Sequence, residues 1–112
     1  MSAGVDNYLL VLTNLPDHDS AIELAKSLVG KRLAACVNVL DGCSSVYRWQ
    51  DGIQTEREVP VLIKTHADRY PALQQAIVES HPYELPEIVA VPLTHGFQPY
   101  LQWVSAGLDL SG

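Results

Sequence analysis

Positive charge is scarce in this chain. Seven Lys and Arg residues stand against 13 Asp and Glu, a formal charge of −6 with a pI near 4.9. Nucleic acids are held by clustered cations that displace counterions from phosphates. Here the few cations are scattered, so nucleic acid is not an expected partner. Cysteine is scarcer still: Cys36 and Cys43 lie in one extended segment, too far apart to bridge. Two free thiols fit a reducing compartment. No apolar run approaches the length of a membrane span, since Tyr8–Leu12 is also short for a signal sequence. The residues before it, 1–6, carry no positive charge in their side chains. The expected location is therefore the cytoplasm, with no membrane partner.

Catalytic signatures are missing as well. There is no nucleophile elbow, glycine-rich phosphate loop or metalloprotease helix. No two His or Cys residues share zinc-site spacing. An enzyme is not expected. Linkers, repeats and low-complexity stretches are also lacking, so residues 1–112 read as one domain.

What is present is a pattern of short apolar elements in a chain 47% hydrophobic and 18% charged. Tyr8–Leu12 reads as a central strand, broken at Asn14-Leu15-Pro16-Asp17. Asp17 or Ser20 can cap a helix whose apolar stripe is Ala21, Leu24, Ala25 and Leu28, with Lys31 and Arg32 at its negative end. Leu33–Leu40 is a second strand, bent at Asp41-Gly42 and continued through Ser44–Trp49. Asp51-Gly52 marks a hairpin, and the returning strand runs to Thr65. Pro60 interrupts that strand's donors, which predicts a bulge or an unpaired edge. Asp68–Ser80 is a second helix with Pro71 in its first turn. Glu87–Val91 is a fourth strand, and Tyr100, Leu101, Trp103 and Val104 mark a closing helix.

The order βαββαβ, with right-handed crossovers, predicts an α+β, ferredoxin-like split sheet of strand order 4-1-3-2 with a C-terminal helix. The hairpin between the second and third strands is too long for its neighbours. Val46, Tyr47, Trp49 and Ile53 on its distal arm have no strand to cover them, and a second copy of the chain is the expected cover.

Five segments share a further likeness. Leu33-Ala34-Ala35-Cys36-Val37-Asn38, Ser45-Val46-Tyr47-Arg48-Trp49 with Gly52, Ile63-Lys64-Thr65, His81-Pro82-Tyr83 with Pro86-Glu87, and Tyr100-Leu101-Gln102-Trp103 together resemble the CutA divalent-cation tolerance proteins. The resemblance runs from about Tyr8 to Gly107. It implies a homotrimer of ferredoxin-like subunits linked to copper and other divalent cations, similar in architecture to the PII signalling proteins. Some members of the family place metal ligands on a Cys after the first strand and on a His-His pair. The corresponding residues here are Thr13 and Ser80-His81, so His81 alone is kept.

Candidate site residues follow. His81 reads either as a metal ligand or as a helix C-cap. Cys36 reads as a soft copper ligand or as a small buried hydrophobe, whereas His18, His66 and His95 read as surface residues. Lys64, at the end of an apolar strand, needs an anion; Glu56, Glu58, Glu84 and Glu87 are the available carboxylates. Tyr47, Trp49, Tyr83, Glu84 and Trp103, with Lys64, are candidates to line a cleft between subunits. Two functions compete: weak binding of copper or another divalent cation near the interfaces, and a PII-like module holding a small ligand in such clefts.

Overall fold

Tyr8–Leu15 forms β1, the central strand, and it is longer than the apolar run that announced it. The computed structural model describes residues 7–110, so the segment read for a targeting signal lies outside the described residues. After β1 come α1 (His18–Gly30), β2 (Cys36–Val39), β3 (Cys43–Trp49) and β4 (Gly52–His66). A 3-10 turn, Ala67–Arg69, leads into α2 (Tyr70–Ser80), followed by β5 (Val89–Pro92) and α3 (Gln98–Gly107). The sheet runs β2-β4-β1-β5 with every pairing antiparallel, and β3 also pairs with β4. Since β2 and β3 are the two halves of the expected second strand, this is the 4-1-3-2 order.

Alternation along the strands separates two faces. Val11, Thr13 and Leu15 of β1, with Val59, Val61, Ile63 and Thr65 of β4, are buried on one of them. Ala21, Leu24 and Leu28 of α1 and Leu73 and Ile77 of α2 complete that core. On the opposite face Leu10, Leu12 and Leu62 are half-buried, and Val89 and Val91 are exposed. A second cluster of Tyr8, Leu101, Val104 and Leu108 seats α3 at the Tyr8 end.

Several local expectations need correction. Asp17, not Ser20, caps α1: its carboxylate accepts the Ser20 N–H at 2.8 Å. Lys31 caps α1 through its backbone, its N–H reaching the Ser27 carbonyl at 3.0 Å. Arg32 takes φ 60° just beyond the helix end, while the Leu33 N–H reaches back to the Leu28 carbonyl at 2.9 Å. Its guanidinium instead donates to the Gly107 carbonyl of α3 at 3.0 Å. The hairpin turn is Gln50-Asp51, with Gln50 at φ 55° and Gly52 already paired with Trp49. The fourth strand begins two residues later than expected, at Val89. His66 is not a plain surface residue. It lies edge-on to Tyr8 with ring centroids 5.2 Å apart and accepts the Asp68 N–H at 3.0 Å.

Pro60 does stand at an irregularity: between the pairs Val39/Val61 and Cys43/Glu58, three residues (40–42) oppose two (59–60), and the ladder is interrupted on that edge. Pro60 sits opposite Asn14 in the β1 ladder, and its carbonyl accepts the Leu40 N–H at 3.0 Å. A residue's N–H and C=O point to the same side of a strand, so the missing donor faces the bend at Asp41-Gly42. There β2 has ended and β3 has yet to begin. Beyond this bend, seven registered pairs of β3 and β4 project past the four-stranded sheet. The molecule is correspondingly long, 48 × 25 × 23 Å.

Buried polar groups are largely paired. Thr65 donates to the Leu33 carbonyl at 2.8 Å, and Tyr8 hydrogen-bonds Ser105. Among the described residues the buried Thr13 hydroxyl has no partner. An unmet buried hydroxyl costs about 1–3 kcal/mol, and removing it with little change of shape recovers part of that. Thr13→Val should therefore raise stability by about 1 kcal/mol, read as a higher urea midpoint at unchanged m-value.

Candidate functional site

Pro82 and the five residues after it connect α2 on the covered side to β5 at the sheet edge. Passing the Leu15 end of β1, this segment approaches the distal hairpin and closes one side of an open cleft of about 830 Å³. Tyr47 and Trp49 of β3 line its hairpin wall together with Glu56 and Glu58 of β4. The register makes this wall: Ser45 pairs with Glu56 and Tyr47 with Gln54, so alternate side chains of both strands share one face. Tyr83, Glu84, Leu85 and Glu87 form the facing wall, with Asn14 at the base.

One imidazole fixes the second wall to the sheet. His81 is 9% exposed, and its Nδ1 accepts the Tyr83 N–H at 3.1 Å. That bond assigns the ring proton to Nε2, which donates to the Asn14 carbonyl at 2.6 Å. The ring also packs on Tyr83 at 4.7 Å between centroids. Asn14 closes the loop by donating its side-chain amide to Glu87 at 3.0 Å. Both nitrogens of His81 are thus engaged, and a metal ion there would have to break one of these bonds. The expected contact with the end of α2 is made by the backbone, the His81 N–H reaching the Ile77 carbonyl at 2.9 Å.

Electrostatics in the cleft favour neutral phenol and positive charge. Burial, a hydrogen bond to Glu58, and the negative field of Glu58, Tyr47 and Glu56 push the Tyr83 hydroxyl up to about 12. Four carboxylates line the cleft against the single guanidinium of Arg48.

Other candidates lie elsewhere. Among the described residues Lys64 forms no ion pair; it donates to Asn38, because the expected carboxylates are gathered in the cleft. Cys36 is opposite Lys64, half-buried on the uncovered face and outside the core. Its thiol sits beside the Tyr100 hydroxyl, whose pKa is raised by burial and then by that thiol. Trp103 is exposed and stacked on Tyr100 at 5.6 Å between centroids, away from the cleft. Thr13 points into the core from within β1. Cys36 is aligned with Lys64, whereas His81 is anchored at Asn14, opposite Pro60, four residues along β4. Among the described residues no three His, Cys, Asp or Glu side chains are grouped to hold a metal. Asn14 has no signal in the sequence beyond its place in Asn14-Leu15-Pro16-Asp17, which reads only as a break after the strand.

The fold defines a ferredoxin-like α+β protein with an extended hairpin. The CutA1 divalent ion tolerance protein family matches residues 9–107, and the chain belongs to that family. The CutA divalent-cation tolerance protein of Thermus thermophilus is 42% identical over 85% of this chain and 92% of its own. The CutA crystal structure from Xylella fastidiosa superposes with a TM-score of 0.89 at 41% identity, covering 92% of this chain and 99% of the other. A CutA from Archaeoglobus fulgidus, described as periplasmic, has a TM-score of 0.88 at 27% identity, covering 90% of this chain and 98% of that one.

Two outcomes test the His81–Tyr83 geometry. His81→Ala strands the Asn14 carbonyl and the Tyr83 N–H, and should cost about 2 kcal/mol or more in urea unfolding. The raised Tyr83 pKa favours the folded state while the unfolded phenol, near 10, stays protonated. This contribution is fully present below about pH 10 and is lost as pH rises toward about 12. In Tyr83→Phe the fall of stability between these values should be shallower, and the latest tyrosinate absorbance step should be missing.

Proposed function

We propose that the chain acts in divalent-cation tolerance as a cytoplasmic homotrimer, with copper the foremost ion and the metal held weakly where subunits meet. The observation that carries this reading is the apolar surface left uncovered by one chain. Val46 and Ile53, 67% and 68% exposed, lie on one side of the distal hairpin, and Tyr47 and Trp49 lie on the other. The Val46 and Ile53 side of this ribbon faces away from the glutamate-lined cleft, and an apolar patch exposed there marks a contact surface. The uncovered side of the sheet adds Val89 and Val91. Further copies of the chain supply the cover, and the family resemblance supplies the number three.

The same surface supports a shared metal site. Cys36 is a half-buried soft donor on the uncovered face, and a ligand set would be completed by neighbouring chains. Two unbridged thiols are consistent with a reducing cytoplasm. The PII-like reading rests on architecture alone, and the acidic cleft is a poor receptor for nucleotide phosphates.

Sedimentation equilibrium at micromolar concentration should return about three times the 12.3 kDa chain mass. Ile53→Asp, which places a charge where an apolar contact is expected, should shift the protein toward monomer. A monomeric parent chain, or an Ile53→Asp variant that assembles as the parent does, overturns the assembly. Titration with Cu(I) should then show binding that weakens in Cys36→Ser and survives in a His81→Ala variant that remains folded.

A further inference from the structure

We propose that the cleft between the distal hairpin and residues 82–87 binds a linear organic polycation, an aliphatic di- or polyamine. This site is distinct from the metal contact at Cys36 and does not depend on it. Its volume, about 830 Å³, falls within the range of small-molecule sites. It is also built in advance: His81 ties the Tyr83 wall to β1, and Asn14 ties Glu87 to the same strand.

The lining selects the chemistry of the occupant. Glu56 and Glu58 lie two residues apart on one strand face, roughly 6–7 Å along it, and Glu84 and Glu87 stand on the facing segment. A divalent ion requires several oxygens at about 2.0–2.6 Å from one point. These carboxylates are spread along the cleft, and no three acidic, His or Cys side chains are grouped for a metal among the described residues. Ammonium groups separated by methylenes match such spacing. The methylene stretches find the rings of Tyr47, Trp49 and Tyr83, on which ammonium groups also gain cation–π attraction. Phosphate and carboxylate ligands are repelled by the same four glutamates.

The test uses the full chain carrying Trp103→Phe, so that Trp49 is the sole indole. Spermidine should change Trp49 fluorescence saturably, at one equivalent per chain, and the affinity should fall steeply with added NaCl. Magnesium at equal concentration should give no saturable change. The Glu56→Gln/Glu58→Gln pair should weaken spermidine binding at least ten-fold while circular dichroism and sedimentation remain those of the parent. Glu84→Gln, on the opposite wall, should also weaken it, which keeps the test open if the double variant does not fold. Absence of saturation at millimolar spermidine overturns the proposal. So does equal competition by magnesium, or affinity unchanged by the glutamate substitutions, because either result means that the chain's overall negative charge is being read.

Discussion

Fifteen consecutive residues of extended backbone, Gly52–His66, connect everything else in this protein. Along its second half β4 pairs with β1 on one edge and β2 on the other, and along its first half with β3 alone. The change of partner occurs at Pro60. Its carbonyl receives the last bond from the β2 segment, and its lack of an N–H leaves nothing unsatisfied at the bend. A residue that ordinarily terminates pairing here allows one strand to belong to a packed domain and to an arm outside it. Without that continuity the hairpin wall of the cleft would have no fixed position relative to β1.

A buried histidine couples the second wall to the same strand. Imidazole suits this position because its neutral form accepts at one nitrogen and donates at the other, so it can join a backbone N–H to a carbonyl. That accounts for the place of His81 in a proline-bounded segment next to Tyr83. The family motifs thus divide between two places. His81-Pro82-Tyr83, Tyr47 and Trp49 shape the cleft, whereas Cys36, Lys64, Tyr100 and Trp103 gather at the uncovered sheet face and α3. Within one chain Lys64 and Trp103 therefore lie apart from Tyr47, Trp49 and Tyr83.

Much of the architecture was legible from local rules. Leu73 and Ile77, Asp17 before α1, Pro71 in the first turn of α2 and the excess length of the hairpin each have a local cause, and each stands where that cause puts it. Errors arose where a residue's partner is distant in sequence. Arg32 follows one helix but serves the carbonyl end of another 75 residues away. Lys64, at the end of an apolar strand, reads as needing one of the glutamates, yet β2 brings Asn38 of the same sheet face within its reach.

By itself the sequence determined the element order, the strand order 4-1-3-2, the apolar hairpin arm and the family. Those properties follow from periodicity, turn chemistry and motif spacing, which are written along the chain. Tertiary structure decided which side chains face one another: His81 with Asn14, Tyr83 with Glu58, Cys36 with Tyr100. Strand register and loop path set those pairings. A one-residue slip in a strand would turn its side chains to the other face, so composition and spacing alone carry no record of which carboxylates meet in the cleft.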